Sequence, residues 1–326
     1  MSKRFIPALG LKNRHFQTLY SSFFRDSLEL DFEVQRFELS DGDFVDCYWY
    51  DKPKENLSKP IVILFHGLAG SYKSPYIQGT MKKLSQNGFA SVVMHFRGCS
   101  GENNRLPRAY HSGDSGDSSA WIKHLKSNYP DAKLFAIGYS LGGNMLLKLL
   151  GEYGEDSPLD GAISISAPLQ LDICAHKMDK GFSKLYQKHL LKNLNLQLED
   201  KFNKHDMNAL IGIQKEDVKK LKTFWEFDNI YTATIHGFDS AQDYYTKSSS
   251  KQFLKNITTP TLIIHSTDDP FMTPEILPNK SEISKTTTLE IYNYGGHVGF
   301  ISGSFFKPVY WLEDRVIAYL SKQLSH

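Results

Sequence analysis

Three side chains that together can activate a hydroxyl for nucleophilic attack occur in this sequence in a recognisable order. Ser140 lies in the pentapeptide Gly138-Tyr139-Ser140-Leu141-Gly142, between an apolar run and a helix-forming run. A serine hydroxyl is a weak nucleophile unless a histidine takes its proton and a carboxylate orients that histidine. Candidates for both roles follow along the chain, first Asp268 or Asp269 and then His297. Serine, acid, histidine is one of the orders in which such triads occur, and it predicts acyl-transfer chemistry at Ser140.

The glycines around Ser140 are typical of a sharp turn from a strand into a helix. Such a turn presents the serine oxygen above the sheet, and Gly138 and Gly142 have no Cβ atom to clash where strand and helix meet. The helix that follows points its amino terminus at the serine, which favours developing negative charge there. We therefore interpret Ser140 as a nucleophile, with an ordinary strand-to-helix turn as the alternative.

Two neighbouring aspartates compete for the role of the acid. Acid loops after such strands commonly read Asp, any residue, then an apolar residue. Asp269 places Phe271 at the apolar position, whereas Asp268 places Pro270 there. We favour Asp269 and keep Asp268 as the alternative. The other acid is expected to cap the loop or to face solvent, because two ionised carboxylates buried beside one imidazole would be costly.

The reaction also requires hydrogen-bond donors for the oxyanion that forms on the attacked carbonyl group. One is expected to be the backbone N–H of Leu141, the residue after the serine. The other is expected in the loop that begins at His66, where we assign the N–H of Leu68 and where Gly67 lets the chain turn inward. Each donor is worth about 3–4 kcal/mol of transition-state stabilisation. A tight loop without function is the alternative for this segment.

Alternating apolar and helix-forming runs predict the elements that must hold these residues in place. Apolar runs typical of strands buried on both faces occur at 61–65, 90–96, 133–137, 161–166, 261–265 and 288–294. Helix-forming stretches occur at 76–87, 117–128, 141–150 and 309–324. This rhythm predicts a mostly parallel sheet with helices on both faces. The stretches 33–39 and 44–50 flank a turn-rich tetrapeptide and predict an antiparallel hairpin at one edge.

The rhythm is interrupted between residues 169 and 250 by a long, charged and helix-prone segment. We predict a core domain formed by residues 1–168 and 251–326, with residues 169–250 as a helical cap inserted over the site. Ordinary helical structure within a single domain is the alternative. Candidate side chains for lining a substrate pocket from this cap are Phe182, Leu185, Tyr186, Phe224, Trp225 and Phe227.

Composition argues against several other classes of protein. Lys and Arg number 38 against 36 Asp and Glu, so the net charge of +2 creates no general field for nucleic acid or anionic membrane. No apolar run reaches the ~18–20 residues of a membrane span, and none follows the basic start as a signal peptide requires. We expect a cytoplasmic protein without stable membrane insertion or a nucleic-acid partner, which needs no metal or organic cofactor.

Structural roles are expected for other recognisable residues. Cys47, Cys99 and Cys174 lack the spacing of a metal site and are expected to be buried free thiols. We expect Arg97 to hold neighbouring carbonyl groups or Asp114, with binding of a substrate carboxylate or phosphate as the alternative. Asp114 and Asp117 are expected to cap helix starts.

Several motifs along nearly the whole chain together resemble one family. They are Asn13 to Thr18, His66 to Ser71, His95 to Gly101, Tyr110 to Asp114, Asp268 to Phe271, and Gly295 to Phe300. The combination resembles the YheT-like branch of the α/β-hydrolases, which is related to the eukaryotic ABHD lipases and to plant embryogenesis-associated hydrolases.

The resemblance implies an α/β-hydrolase fold and a serine hydrolase with a Ser-Asp-His triad. Ser140, Asp269 and His297 are our candidates for that triad, and Asp268 stays the alternative acid. It implies carboxylesters as substrates, with acyl or lipid-like esters as the expected class. A thioesterase or amidase with the same triad is the first alternative. A non-catalytic ligand-binding protein on the same fold is the second.

Overall fold

The structure is a computed structural model, and it describes residues 4–53 and 59–325. The strands are β1 (Glu33–Glu38), β2 (Phe44–Tyr50), β3 (Ile61–Phe65), β4 (Ala90–Met94), β5 (Leu134–Tyr139), β6 (Gly161–Ile165), β7 (Thr261–Ser266), β8 (Thr287–Tyr292), β9 (Ile301–Gly303) and β10 (Pro308–Tyr310). The helices are α1 (Arg14–Phe24), α2 (Pro75–Gln86), α3 (Gly116–Asn128), α4 (Leu141–Tyr153), α5 (Leu171–Met178), α6 (Ser183–Lys204), α7 (Met207–Ile211), α8 (Phe224–Phe227), α9 (Ala233–His236), α10 (Ala241–Ser248) and α11 (Trp311–Leu324). A π-helical turn (Asp228–Thr232) joins α8 to α9.

Strands β1 to β8 form one sheet in the order β1-β2-β4-β3-β5-β6-β7-β8. The pairs β1–β2 and β2–β4 are antiparallel, and all further neighbours are parallel. The prediction of a mostly parallel sheet with an antiparallel hairpin at one edge is confirmed. Because parallel strands end at the same edge of the sheet, the loops after β3, β5, β7 and β8 all begin there.

Apolar side chains cover both faces of this sheet. In β3, Ile63 belongs to the apolar layer that includes Trp121 of α3, whereas Leu64 belongs to the layer that includes Met81 of α2. All residues of the inner strands β3 to β7 are buried, as the continuous apolar runs predicted. Burial on both faces holds the strand ends rigidly, so the loops that carry chemistry start from fixed positions.

Helix α1 was not among the predicted elements. Its start is capped by the side chain of Asn13, which accepts hydrogen bonds from the N–H groups of His15 and Phe16 at 2.8 and 3.4 Å. The helix buries Gln17 and Tyr20, while several of its aromatic side chains are exposed. The arrangement of apolar and polar residues in this segment is nevertheless that of an amphipathic helix, so the signal for α1 was present in the sequence.

The closing helix begins later than predicted. We expected it to start at residue 309, but α11 begins at Trp311 because the preceding Pro308–Tyr310 forms β10. That short strand pairs antiparallel with β9, directly after the loop that carries His297. Three-residue strands carry too few residues for an alternating pattern to identify them.

Residues 166–260, which the structure describes throughout, contain no strand between β6 and β7. They form α5 to α10 with short turns, and they include an apolar cluster of their own around Leu198, Met207 and Phe227. The division into a core of 1–168 and 251–326 and a cap of 169–250 stays a prediction. Residues 1–3, 54–58 and 326 of the predicted core lie outside the described part.

Two expectations from composition concern thiols and membranes. Cys47, Cys99 and Cys174 are buried free thiols, as predicted. In the described residues, none of the helices is both long enough and apolar enough to span a bilayer.

Candidate active site

Ser140 lies on a strained turn between β5 and α4. Its φ of 50° and ψ of −119° fall in a region that residues with a Cβ rarely adopt. A Cβ atom at Gly142 would lie 2.5 Å from the carbonyl oxygen of Phe65, and one at Gly138 would lie 2.6 Å from the Cα of Gly143. Glycine is therefore required on both sides of the serine, because backbone of the neighbouring strand and helix already occupies that space.

This crowding predicts a difference between two glycine substitutions. Gly142→Ala should lower the free energy of unfolding by about 1–3 kcal/mol, as overpacking of a closed site does. Gly116→Ala at the start of α3, where an added Cβ meets open space, should instead be neutral or raise it by up to about 1 kcal/mol. Urea unfolding followed by circular dichroism measures both. Equal stability of the two variants would contradict the packing argument.

The structure brings the predicted serine, histidine and aspartate into one hydrogen-bonded chain. Nε2 of His297 lies 2.9 Å from Oγ of Ser140, and its Nδ1 lies 2.8 Å from Oδ2 of Asp269. Because an ionised carboxylate can only accept, Nδ1 carries the ring proton and donates it to Asp269. Nε2 is then free to accept the proton of the Ser140 hydroxyl, which is the arrangement that nucleophilic attack requires.

The two candidate acids differ in what they contact. Asp269 is buried, and its second oxygen accepts the N–H of Phe271 at 2.8 Å. Asp268 instead accepts the N–H of Gly296 at 2.9 Å, so it contacts the backbone of the histidine loop. Burial raises the pKa of the Asp268 carboxyl group. The ring of Phe271 stacks on His297 with centroids 4.0 Å apart and limits the movement of the imidazole.

The histidine loop is held from behind by α1, an element that sequence reasoning missed. The N–H of His297 donates to Oγ1 of Thr18 at 2.9 Å. The buried amide of Gln17 donates to the carbonyl groups of Leu11 and Ile301 and accepts the N–H of Ile301 at 2.7 Å. The motif Asn13 to Thr18 already marked this part of the sequence as notable. Only the fold shows that its residues position His297.

The two predicted oxyanion donors lie at the same end of the site. Leu68 and Leu141 both line the cavity that contains Ser140. A Cβ atom at Gly67 would lie 3.3 Å from the Cβ of Ser140, so the loop after β3 passes directly beside the serine. Within residues 4–53 and 59–325, neither the Leu68 nor the Leu141 N–H donates to a backbone or side-chain acceptor. Both groups are therefore free to bind an oxyanion, and that role stays a prediction.

The cavity over Ser140 has a volume of about 130 Å³ and is lined largely by apolar side chains. Of the six predicted cap residues, Phe224 and Phe227 line it. The other four do not: Phe182 and Leu185 are exposed by half or more, Tyr186 packs on Phe271, and Trp225 packs on Tyr245. Composition identified aromatic residues of the cap, but the rotation of each helix decides which of them face inward.

Arg97 has a structural role, but its predicted partner was wrong. Its guanidinium binds both oxygens of Asp117 at 2.7 Å and also contacts Asp41 and Asp43 at 2.8 and 3.0 Å. Asp114 is instead paired with Arg108 at 2.7 Å. The prediction that Asp114 and Asp117 cap helix starts is also wrong, because arginines hold both carboxylates. Surrounded by three acids, Arg97 is not available to bind a substrate anion.

One group of described residues has the spacing of metal ligands. Candidate ligand atoms of His111, Asp114 and His236 all lie within 4.8 Å of one another. Burial lowers the pKa of His111 to about 3 and that of His236 to about 2, so both rings are neutral. The positive partner of Asp114 is already Arg108, and we assign no metal to this group.

Comparisons with known proteins show the family of this chain. The sequence pattern of the alpha/beta hydrolase fold family matches residues 60–304. The YheT protein of Escherichia coli strain K12, by name an esterase, is 42% identical over 324 residues, which are 99% of this chain and 95% of that protein. Phospholipase ABHD3 of Homo sapiens is 28% identical over 100% of this chain and 80% of its own length. The solved esterase Pf2001 of Pyrococcus furiosus shares the fold, with a TM-score of 0.58 at 16% identity over 91% of this chain and 92% of that one.

Proposed function

This chain belongs to the alpha/beta hydrolase fold family and to its YheT-like branch, and on that premise we propose that it cleaves carboxylic esters through an acyl-enzyme formed on Ser140. It is a carboxylesterase- or lipase-like hydrolase by its similarity to esterases and phospholipases. The proposal goes further by assigning the residues that act. The observation that carries it is the continuous chain of hydrogen bonds from Asp269 through His297 to Ser140.

The reaction begins when Oγ of Ser140 attacks the ester carbonyl carbon while Nε2 of His297 takes the hydroxyl proton. The carboxylate of Asp269 holds the imidazole in the required tautomer and stabilises its positive charge. The backbone N–H groups of Leu68 and Leu141 bind the oxyanion of the tetrahedral intermediate.

The intermediate collapses when the alcohol leaves with the proton that His297 carried. The acyl group is then bound to Ser140 as an ester. A water molecule gives its proton to His297 and attacks this ester, and the acid product leaves as Ser140 regains its proton. No step requires a metal ion or an organic cofactor.

The apolar lining of the cavity supports acyl or lipid-like esters as substrates. The helical segment 169–250 contributes most of the lining through α5, α6, α8 and α10. Hydrocarbon chains gain free energy by leaving water for such a surface, roughly 0.8 kcal/mol for each buried methylene group. We therefore propose that this segment acts as a cap that selects the acyl group.

A series of p-nitrophenyl esters of increasing acyl length tests the proposal, with thioesters of the same acyl groups alongside. We expect kcat/KM to rise with each added methylene until the cavity is filled and then to fall. A fluorophosphonate probe should label the protein, because it reacts with activated serines. If the probe does not label and no ester is hydrolysed, the proposed function is wrong. Faster turnover of the thioesters would move the assignment to a thioesterase.

A further inference from the structure

A carboxyl group without a positive partner lies in the wall of the substrate cavity. Asp228 is partly buried, and its two oxygens accept hydrogen bonds from Oγ1 of Thr232 and from the hydroxyl of Tyr245, both at 2.7 Å. No lysine, arginine or histidine in the part of the chain that the structure describes forms an ion pair with it. The hydroxyl groups satisfy one lone pair on each oxygen but bring no positive charge. A carboxylate partly withdrawn from water in this state is stabilised when a cation approaches it.

Two kinds of apolar side chain line the cavity together with Asp228. Aliphatic side chains come from α5 and α6: Leu171, Ala175, Met178, Leu190 and Leu194. Aromatic side chains come from α8 and α10: Phe224, Phe227, Tyr244 and Tyr245. Leu171 and Ala175 pack in one cluster with Phe224, Tyr244 and Tyr245. The aliphatic side chains fit a hydrocarbon chain. Aromatic faces beside a carboxylate fit an organic cation, which the ring quadrupole and the charge both attract.

The charge of this cavity is set by Asp228. Burial raises the pKa of its carboxyl group to about 6, so the group is ionised at pH 8. The titratable groups that share the cavity are neutral there: burial raises the pKa values of Tyr244, Tyr245 and Cys174 and lowers that of His111 to about 3. The cavity wall therefore carries one negative charge above about pH 6 and loses it below.

The backbone at Asp228 is also unusual. Asp228–Thr232 is a π-helical turn, in which the chain carries one extra residue relative to an α-helix. Such turns are rare and occur frequently at functional sites, where they reorient a side chain. Asp228 is the first residue of this turn, and it lines the cavity that also contains Ser140.

We propose that the cavity binds an organic ammonium group beside Asp228 and its aromatic neighbours, with Asp228 as the residue that determines this specificity. The preferred substrates are then esters of cationic amino alcohols, whose acyl chain contacts the aliphatic side chains of the lining. The inference rests on the proposed function, because it places both parts of the ester around Ser140. It adds to that function a charge preference in the alcohol part.

Two esters that differ only in charge test the preference. An acylcholine and the 3,3-dimethylbutyl ester of the same acid have nearly the same shape, but only the first is cationic. We expect kcat/KM for the cationic ester to exceed that for the neutral ester by about tenfold or more at pH 8. Since both reactions use the same catalytic residues, effects of pH on the shared chemical steps cancel in the ratio. The ratio should fall toward equality as the pH drops through about 6, where the Asp228 carboxylate gains a proton.

Substitutions assign the preference to one residue. Asp228→Asn removes the charge and keeps the shape, and it should reduce the ratio to about equal rates. Asp239→Asn, which removes an exposed carboxylate of the same helical region, should keep the wild-type ratio. If Asp228→Asn fails to fold, the wild-type ratio and its pH dependence still decide the question.

Binding without turnover separates failure of this inference from failure of the proposed function. Tetramethylammonium should raise the Tm of Ser140→Ala but not that of the Ser140→Ala, Asp228→Asn double variant. Equal turnover of the two esters by the wild type would overturn the cation preference and leave the esterase proposal intact. If neither ester is hydrolysed, the proposed function fails, and the Tm measurement alone decides on the cation site. No shift of Tm with tetramethylammonium would then overturn it.

Discussion

Replacing Ser140 by alanine is expected to lower kcat for ester hydrolysis roughly 10⁴- to 10⁶-fold, because the variant has no oxygen to form the acyl-enzyme. His297→Ala should cause a loss of the same order, since the serine then has no base within 2.9 Å to take its proton. The double variant should be about as slow as either single variant, because the two residues act in one step. Steady-state kinetics with a p-nitrophenyl ester measures all three proteins.

The behaviour of the double variant is the stronger test of whether Ser140 and His297 act in one step. A protein in which the losses multiplied in the double variant would use Ser140 and His297 independently, contrary to the hydrogen bond between them. His124 offers a matched control, because it is a histidine on α3 that packs against Trp121 and Phe37. His124→Ala should change stability rather than kcat. Loss of labelling by a fluorophosphonate probe in Ser140→Ala would confirm that the reactive oxygen is this one.

The second large effect is expected at the acid. Asp269→Asn should lower kcat by about 10⁴-fold, because an amide can donate to Nδ1 and so favour the tautomer with its proton on Nε2. That tautomer cannot accept the serine proton. The loss should appear mainly in kcat, since Asp269 contacts His297 and the backbone of Phe271 and is not part of the cavity lining.

Asp268→Asn is the matched control, with the same change one residue earlier. The asparagine oxygen can still accept the N–H of Gly296, so only a charge contribution to one hydrogen bond is lost. We expect kcat to fall by less than about tenfold, in line with the modest net value of one such bond. If the larger loss occurs in Asp268→Asn instead, the role of the triad acid passes to Asp268.

Two residues of the site have a strained backbone, and neighbouring segments of the chain hold them in place. Ser140 and Val298 both adopt positive φ values of 50° and 59°, which are costly for residues with a Cβ. The sheet holds Ser140 in its conformation. Ser166 supports Val298 by accepting its N–H at 3.1 Å. Helix α1 adds the hydrogen bond from His297 to Thr18. The histidine therefore reaches Ser140 because two separate parts of the chain, Ser166 after β6 and helix α1, hold its loop.

Local sequence by itself determined the sheet, the strained turn and the order of the reacting residues. Continuous apolar runs identify buried strands because both faces of a parallel sheet exclude water. The glycines on either side of Ser140 identify the turn because backbone occupies the space of any Cβ there. The spacing of Asp269 and Phe271 was enough to favour one acid of two, and the geometry places that acid at the imidazole.

Only the tertiary structure decided which distant groups meet. Arg97 pairs with Asp117 rather than Asp114, although both acids lie nearby in sequence, because the start of α3 turns one toward it and the other toward Arg108. The same holds for the cap, where helix rotation turns Phe224 into the cavity and leaves Phe182 in solvent. Such choices depend on packing between segments far apart along the chain, and local residue patterns carry no record of that packing. Asp228 is the clearest case, since only the folded surroundings show that hydroxyl groups bind it and that no cation among residues 4–53 and 59–325 forms an ion pair with it.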